Sequence, residues 1–335
     1  MIVQMKKYAT EKEIKKLVDF LTERGFSVKD ISSEEIKMFG VVGDTMNLNV
    51  SHIEAFEGVY KVHKIQKTYR LASRDYKKED TIIKVKEGLT IGGGSFQIIA
   101  GPCAVEDKET MIETAENLRD NNVKMIRGGV FKPRTSPYSF QGLGIAGLKM
   151  LKEVADKYNL VVVTEVISPE QVDLIKDYVD IYQVGTRSMQ NYPLLKVLGA
   201  QKKPVIIKRG MSATIEEWLL SAEYVLEGGN PNVILCERGI RTFERYTRNT
   251  LDITAVLAVK ELSHLPVMVD PSHASGKYEM IEKLSLASLV VGADGIMVEI
   301  HPHPEKAYSD GAQSLKLHKF NSLVKEVNRL KKVLW

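Results

Sequence analysis

The spacing of apolar residues along most of the chain predicts strands and helices in strict alternation. From residue 96 onward, short apolar runs alternate with stretches in which apolar residues recur every three or four positions. The short runs predict strands at 96–100, 124–130, 160–166, 181–185, 204–208, 233–236, 266–269 and 295–299. The longer stretches predict helices at about 107–121, 144–158, 168–177, 190–199, 214–228, 250–262, 277–291 and 314–333.

This alternation matches one architecture in both size and pattern. Eight strands and eight helices over about 240 residues are typical of an α/β fold of the (β/α)₈ TIM barrel type. The alternative is a doubly wound open sheet. However, the turn after the first strand lacks the Gly-rich dinucleotide fingerprint of that fold. We therefore predict a catalytic barrel over residues 95–335.

The first part of the chain follows a different pattern. Strands at 2–5, 27–31, 36–42 and 59–65 and helices at about 10–24 and 46–56 give the order β-α-β-β-α-β, which is that of a ferredoxin-like domain. Thr10 and Glu13 form a capping-box signature for the first helix. We predict this small α+β domain at residues 1–70. A charged linker and a small hairpin around Glu87-Gly88 should then fill residues 71–94.

Composition narrows the class of protein. Of 335 residues, 44% are hydrophobic and 27% are charged, which is ordinary for a globular protein. The net charge of +4 is too small to indicate nucleic-acid binding. No run of 18 apolar residues and no signal peptide are present, so we expect no membrane association. Two cysteines, Cys103 and Cys236, exclude a disulfide framework and favour a cytoplasmic location.

The stretch 125–138 begins as an apolar strand and continues as a stiffened cationic loop. Gly128-Gly129 allows close backbone approach, while Pro133 and Pro137 restrict the loop. Its cations are Arg127, Lys132 and Arg134, and Thr135 and Ser136 follow them. Such a cluster suits an anion with several oxygens, because Arg binds phosphate or carboxylate with two parallel hydrogen bonds. The alternative interpretation is a solvated basic loop.

Chemistry in a barrel lies at the C-terminal ends of the strands, so the residues found there are the candidates. One group of them is cationic: Arg127, Lys132, Arg134, Arg187, Lys208 and Arg238. These residues come from several strands and should converge on one mouth. Their number indicates a substrate that carries a phosphate and a carboxylate, or two phosphorylated substrates.

A second group at the same ends carries thiol, imidazole and carboxylate side chains: Cys103, His273, Glu299 and Asp310. These donors suit a divalent transition metal such as zinc, iron, manganese or cobalt. No short ligand motif compels the assignment, and His301 and His303 are rival ligands. A buried Cys103 and a turn-capping His273 are the structural alternatives. Cys236 lies inside a predicted strand, and we interpret it as a core residue.

Four motifs carry a resemblance to a known family: Gly101-Pro102-Cys103, the run 132–144 (KPRTSPYSFQGLG), the run 235–241 (LCERGIR) and Asp270-Pro271-Ser272-His273. The sequence from about residue 80 to 335 resembles 3-deoxy-D-arabino-heptulosonate 7-phosphate (DAHP) synthases. The resemblance is to the type I beta branch, which is related to 3-deoxy-D-manno-octulosonate 8-phosphate synthase. The N-terminal domain resembles the ferredoxin-like regulatory extension of some members.

The resemblance implies a reaction and a role for each candidate. Phosphoenolpyruvate, erythrose 4-phosphate and water would give DAHP and phosphate, the first step of the shikimate pathway. Cys103, His273, Glu299 and Asp310 would hold a divalent metal ion (Mn, Fe, Co, Zn or Cd). Lys132, Arg187, Lys208 and Arg238 would bind phosphoenolpyruvate, with Arg127 on its carboxylate side. Arg134, Thr135 and Ser136 would bind the aldose phosphate, and Glu165 would orient water. The proton donor would be either Lys132 or metal-bound water.

Two alternatives of function stay open at this point. The sister enzyme uses arabinose 5-phosphate, but it typically carries a Lys-Ala-Asn-Arg-type loop where this chain has Lys-Pro-Arg-Thr-Ser. A catalytically idle barrel that serves as an amino-acid sensor or scaffold is a second alternative, against which the full set of ligands and cations argues. By resemblance we expect a homotetramer. We also expect feedback inhibition by tyrosine or phenylalanine, bound between domains of neighbouring subunits, unless the small domain only stabilises the oligomer.

Overall fold

A computed structural model describes residues 1–33, 35–45, 48–64, 68–134 and 136–334 of the chain. Predictions that involve Met46, Asn47, Ile65 and Thr135 lie outside the described residues. The chain divides into two compact units, Met1–Thr68 and a second unit that begins at Tyr69. Among the described residues, none of the helices is long and apolar enough to cross a lipid bilayer.

The first unit is a four-stranded antiparallel sheet with two helices. Its elements are β1 (Ile2–Met5), α1 (Glu11–Thr22), β2 (Ser27–Asp30), β3 (Met38–Val42), α2 (Val50–Glu54) and β4 (Val59–His63), and the sheet order is β2-β3-β1-β4. The predicted capping box is present, since Glu13 N donates to Thr10 Oγ1 and Thr10 N donates to Glu13 Oε2. Leu17 and Leu21 of α1 pack into the buried core. The predicted ferredoxin-like order of elements is confirmed.

The second unit contains a hairpin and a closed parallel barrel. The hairpin strands are β5 (Ile83–Lys86) and β6 (Leu89–Ile91). The barrel strands are β7 (Gln97–Gly101), β8 (Met125–Arg127), β9 (Val161–Val166), β10 (Ile181–Val184), β11 (Val205–Lys208), β12 (Val233–Glu237), β13 (Val267–Val269) and β14 (Gly295–Glu299). The barrel closes by parallel pairing of β14 with β7, which sets Glu299 beside Gly101. This confirms the predicted (β/α)₈ barrel.

Helices follow the barrel strands: α3 (Lys108–Asp120), α4 (Gly144–Lys157), α5 (Pro169–Ile175), α6 (Tyr192–Gly199), α7 (Ile215–Glu227), α8 (Thr254–Leu262), α9 (Pro271–Ser275), α10 (Tyr278–Val290) and α11 (Leu317–Leu334). The sequence pattern did not predict α9, because one and a half turns are too short to show a period. Its signals are local: Asp270 caps the helix, Pro271 is its first residue, and Gly276 ends it at φ 68°.

The hairpin belongs to the core of the barrel. Ile83, Leu89 and Ile91 are buried in the same cluster as residues that point into the barrel. Met125 and Val161 of this cluster are the first residues of β8 and β9, so the hairpin closes the N-terminal end of the barrel. The loops that follow the strands lie at the opposite, C-terminal end, which is the candidate location of the active site.

The chain between Tyr69 and Thr81 is attached to the barrel by several hydrogen bonds. The Glu223 carboxylate accepts hydrogen bonds from the backbone N–H groups of Arg70, Leu71 and Ala72 at 3.0, 2.7 and 2.9 Å. His264 Nε2 lies 2.7 Å from Leu71 O, and its Nδ1 lies 2.7 Å from Thr81 Oγ1. Since a carbonyl oxygen only accepts, Nε2 carries the proton of the neutral ring. Most of the expected linker therefore lies against the barrel.

The plug at the bottom of the barrel yields a stability prediction. Ile83 is fully buried, whereas its neighbour Ile82 is 60% exposed. We expect Ile83→Ala to lower the free energy of unfolding by about 2–5 kcal/mol, because the truncation leaves a cavity in a closed core. The matched control Ile82→Ala should cost less than about 1 kcal/mol. Urea denaturation measures both, and equal losses would show that the hairpin does not plug the barrel.

The buried His264 predicts a pH dependence of stability. Burial lowers the pKa of His264 from its ordinary value of 6.5, and the charges of Lys77 and Arg74 lower it further, against the Leu71 carbonyl, which raises it. His264 then binds a proton more weakly in the folded chain than in the unfolded chain. Its contribution to the free energy of unfolding is therefore fully present above pH 6.5 and is lost as the pH falls below that value.

The measurement is the free energy of unfolding at several values between about pH 5 and 8. As the pH falls, the free energy of unfolding of the wild type should decrease by up to about 1.4 kcal/mol per pH unit more than that of His264→Gln. Glutamine keeps a donor and an acceptor but does not titrate. Parallel pH profiles for the two proteins would contradict this assignment.

Candidate active site at the C-terminal end of the barrel

A cavity of about 270 Å³ opens where the barrel strands end. Ten of the residues predicted from the sequence line it: Arg127, Lys132, Arg134, Ser136, Glu165, Arg187, Lys208, Arg238, His273 and Asp310. Two further predicted residues, Cys103 and Glu299, are buried and lie within 4.8 Å of the ligand atoms of His273 and Asp310. Barrel closure therefore brings together residues that are up to about 200 positions apart in the chain.

The four candidate metal ligands come from three neighbouring segments. Cys103 follows β7, Glu299 ends β14, and His273 lies in α9 after β13. Asp310 lies in the loop after β14 with a left-handed backbone, φ 55°, which is uncommon for a residue with a side chain. One ligand atom from each of the four lies within 4.8 Å of the other three. This spacing allows all four to reach one ion.

Asp270 orients the imidazole of His273. His273 Nδ1 is 2.7 Å from Asp270 Oδ2, and the backbone N–H of His273 donates to Asp270 Oδ1. Nε2 is thereby left to face Glu299 Oε1 at 3.3 Å. Burial alone would raise the pKa of the Asp270 carboxyl, but the charges of His273 and Lys208 hold it well below its usual range. A carboxylate behind a histidine is the arrangement that fixes a metal-binding ring nitrogen.

Both ligand carboxylates are ionised. Burial would raise the pKa of Glu299, but His273 and Arg127 lower it below its ordinary value. Burial also opposes ionisation of Asp310, yet Arg248 and His273 lower its pKa to about 2. The carboxyl groups therefore offer acceptor oxygens only, which is the state that binds a cation.

The thiol of Cys103 is protonated in the metal-free site. It is 2% exposed, and burial together with the charge of Glu299 raises its pKa to about 11. Lys132 Nζ lies 3.0 Å from Cys103 Sγ and 2.9 Å from Cys103 O, and Asp310 Oδ2 accepts from the thiol at 3.2 Å. A thiolate, an imidazole and two carboxylates form a donor set that suits zinc, iron, manganese or cobalt. The residues fit a divalent metal ion.

The rival ligands lie outside this group. His301 Nε2 is 3.5 Å from Glu106 Oε2, and its Nδ1 accepts from the backbone N–H of His303. His303 faces Glu305 at 3.7 Å with more than half of its side chain exposed. Cys236 is buried in the barrel interior, as predicted. The two histidines were rivals only because a linear sequence does not show which way residues of one loop turn.

The cations around the cavity differ in how they are paired. Arg127 Nη1 donates to Glu299 Oε1 at 2.9 Å and to Pro102 O at 2.7 Å, and Lys208 Nζ contacts Asp270 Oδ2. Arg238 is 3% exposed, and its Nε and Nη1 have no hydrogen-bond partner among the described residues. Burial lowers the pKa of Arg238. Buried donors of this kind that line a cavity are suited to bind an anion.

The cationic loop after β8 lies at the rim of the same cavity. Arg134 Nε donates to Phe140 O at 3.0 Å, and its Nη2 contacts Ser309 Oγ. Ser136 is exposed and lines the cavity, whereas Thr135 lies outside the described residues. Glu165 is nearly buried and packs against Gly185, where a Cβ would overlap its Oε1. A side chain at position 185 would therefore displace the Glu165 carboxylate from its present position.

Several side chains of the site were not predicted from the sequence. Arg248 and Gln313 contact the ligand carboxylates, and Gln183 and Ser139 line the cavity. Arg209 follows Lys208 in the chain, and its Nη1 lies 3.1 Å from Oε2 of Glu237, the residue before Arg238, and 2.8 Å from Asp252 Oδ2. Arg209 follows a strand end, so its position was a usable signal. Arg248 and Gln313 lie within loops, where no pattern marks them.

Comparisons with known proteins agree with this geometry. Residues 80–334 match the DAHP synthetase I family, and residues 1–67 match the DAHP synthase ferredoxin-like domain. A phospho-2-dehydro-3-deoxyheptonate aldolase of Thermotoga maritima is 48% identical over 98% of this chain and 97% of its own length. A 2-dehydro-3-deoxyphosphooctonate aldolase of Fusobacterium nucleatum is 31% identical over 75% of this chain and 96% of its own length.

Solved structures extend the similarity to three dimensions. A crystal structure of the T. maritima phospho-2-dehydro-3-deoxyheptonate aldolase (DAHP synthase) superposes with a TM-score of 0.94 at 47% identity, covering 99% of this chain and 97% of that one. A truncated form of the T. maritima DAHP synthase gives 0.74 at 50% identity over 79% of this chain and 97% of its own. The chain is therefore an enzyme of the DAHP synthetase I family, and its residues 1–67 form a DAHP synthase ferredoxin-like domain.

Proposed function

We propose that the chain condenses phosphoenolpyruvate with erythrose 4-phosphate and water to give DAHP and inorganic phosphate, in a metal-dependent reaction. The observation that carries this proposal is the meeting of two residue groups around one cavity. Four potential metal ligands lie within 4.8 Å of one another, and unpaired and paired cations line the space beside them. A phosphorylated carboxylic acid and an aldehyde need these two environments side by side.

The cationic part of the cavity would bind phosphoenolpyruvate. Arg238 offers two buried donors that make no hydrogen bond to any described residue, and Arg187, Lys208 and Lys132 surround the same space. Guanidinium groups bind phosphate oxygens in pairs, and ammonium groups add point charges. Arg127 already donates to Glu299, so it would act on the carboxylate side through its remaining nitrogens.

The ligand group would bind a divalent ion, which supplies a Lewis acid for the aldehyde oxygen of erythrose 4-phosphate. Carbon 3 of phosphoenolpyruvate forms the new carbon–carbon bond to the aldehyde carbon. Water adds at carbon 2, where Glu165 would orient it, and the bond between carbon 2 and the phosphate oxygen then breaks. Either Lys132 or metal-bound water would donate a proton to the new alkoxide, and the contact of Lys132 Nζ with Cys103 Sγ at 3.0 Å supports a role for Lys132.

Arg134 and Ser136 would bind the phosphate of the aldose. The competing substrate is arabinose 5-phosphate, because octulosonate aldolases are also among the relatives. The extent of similarity favours the four-carbon aldose. The heptonate aldolase is 48% identical over 98% of this chain, whereas the octonate aldolase is 31% identical over 75%.

A turnover assay tests reaction, substrate and metal together. Phosphate release from phosphoenolpyruvate is measured with erythrose 4-phosphate or with arabinose 5-phosphate, after removal of metal by EDTA and again after addition of Mn²⁺. We expect turnover with erythrose 4-phosphate, a loss of about 100-fold or more on chelation, and recovery with Mn²⁺. His273→Ala should abolish the recovery, and the core variant Cys236→Ala should retain it.

Preference for arabinose 5-phosphate would transfer the chain to the sister activity and overturn the assignment of Arg134 and Ser136. Turnover that survives complete removal of metal would instead overturn the role of the four ligands.

We further propose that the N-terminal domain mediates feedback inhibition by tyrosine or phenylalanine. Two observations support this: the domain matches a DAHP synthase ferredoxin-like domain, and the residues that line the cavity all belong to the barrel. A domain whose described residues do not line the cavity of a biosynthetic enzyme suits a regulatory role. The homotetramer and the cytoplasmic location expected from the resemblance stay predictions.

Truncation tests the regulatory role. The cut belongs after Thr68, because Glu223 holds the backbone of residues 70–72 and Tyr69 and Ala72 are core residues of the barrel. We expect the fragment from Tyr69 to retain turnover and to lose inhibition by tyrosine and phenylalanine, both measured in the phosphate-release assay. A fragment as sensitive as the full chain would contradict the proposal. A full chain insensitive to both, with a fragment of smaller oligomeric size, would favour a purely structural domain.

A further inference from the structure

We propose that Arg248 is a positioning residue of the metal site and that it acts on Glu299 through Gln313. This inference rests on the metal site proposed above and adds two residues to it. One guanidinium group would hold the two ligand carboxylates in place, although these come from the end of β14 and from the loop after it, 11 positions apart.

The contacts form a short relay with a fixed direction. Arg248 Nη1 lies 3.2 Å from Asp310 Oδ1 and 2.8 Å from Gln313 Oε1. Gln313 Nε2 then donates to Glu299 Oε2 at 2.6 Å. Arginine only donates, so it fixes the amide oxygen of Gln313 on its own side and turns the amide N–H toward Glu299. The orientation of Gln313 thus depends on Arg248.

Each carboxylate is held by the oxygen that points away from the ligand group. Asp310 Oδ1 faces Arg248, which leaves Oδ2 beside Cys103 Sγ at 3.2 Å. Glu299 Oε2 faces Gln313, which leaves Oε1 beside His273 Nε2 at 3.3 Å. The relay therefore turns the other oxygen of each carboxylate toward the place where the four ligand atoms meet, and Arg127 Nη1 also donates to Glu299 Oε1 there.

The backbone at Arg248 is attached to the helix that carries the third ligand. Arg248 N donates to Ser275 O at 2.9 Å, and Asn249 N donates to Ala274 O at 2.8 Å. Gly276 permits this approach, since a Cβ there would lie 2.6 Å from Arg248 Cβ. Arg248 consequently contacts the segments of His273 and Asp310 directly and reaches Glu299 through Gln313.

Removal of the Arg248 side chain would have two opposite effects on metal affinity. A cation near the site repels a metal ion, so its removal would strengthen binding. Positioning of the carboxylates favours binding, and loss of such a contact typically costs 10–100-fold in metal affinity. The Arg248 side chain is 37% exposed, so solvent screens its charge, whereas Glu299 is 1% exposed and depends on protein contacts for its orientation. We therefore expect positioning to dominate.

The test is a titration of the metal-free full chain with Co²⁺ or Cd²⁺, without substrate, followed by the thiolate-to-metal absorption of Cys103. We expect Arg248→Ala and Gln313→Met each to weaken binding by about 10–100-fold. Arg248→Lys should also weaken it, because it keeps the charge but loses the fork that spans two acceptors. The double variant should lose less than the product of the single losses, since both act on Glu299.

Arg245→Ala is the matched control. It removes the same charge from an exposed position of the same loop and should leave metal affinity within about twofold of wild type. Thermal midpoints of all variants show whether folding is kept. Gln313→Met changes no charge, so it reports on positioning even if Arg248→Ala is unstable.

Unchanged or tighter binding by Arg248→Ala and Gln313→Met would overturn the role of the relay while leaving the metal site intact. Fully multiplicative losses in the double variant would overturn the coupling between the two residues. Failure of wild type to bind either ion would overturn the proposed metal site itself, and the relay with it.

Discussion

The site depends on a line of contacting charged and polar side chains that crosses the C-terminal end of the barrel. Arg127 contacts Glu299, Glu299 faces His273, His273 is bonded to Asp270, and Asp270 contacts Lys208. All five side chains are buried or nearly so. Charges in a protein interior are tolerated only when they are paired and hydrogen-bonded. Each side chain in this line therefore stabilises its buried neighbours, in addition to any role in binding a ligand.

This line joins the two halves of the proposed chemistry. Glu299 and His273 belong to the candidate metal ligands, and Arg127 and Lys208 belong to the cations that line the cavity. Asp270 contacts both halves, because it holds the ring of His273 and accepts from Lys208. A substitution of Asp270 would thus disturb both the metal ligands and the cations. Its effect on activity would not show which of the two groups Asp270 serves. Strands β8, β11 and β14 and the short helix after β13 supply these groups, so closure of the barrel assembles them.

The two ends of the barrel differ in the polarity of their buried side chains. The N-terminal end is closed by the apolar hairpin 83–91, whose side chains complete the interior core. The C-terminal end is lined by buried and half-buried charged groups, and burial disfavours the charged forms of Cys103, Asp270 and Glu299 there. Burial of the hairpin and of the barrel core offsets the cost of ordering these charges.

Sequence by itself determined the parts of this protein that depend on local patterns. Apolar periodicity predicted each barrel strand and the ferredoxin-like order, because burial of one face imposes a period on the residues. The rule that chemistry follows strand ends located Cys103, Lys208, Arg238, His273 and Glu299 before their mutual distances were known. The contribution of the hairpin to the core and the attachment of residues 70–81 to the barrel were not visible, since these contacts join segments far apart in sequence. Only the tertiary structure separated His301 and His303 from the ligand group and revealed Arg248 and Gln313. The direction of a side chain in a loop depends on what packs against it, and that information is not local to the chain.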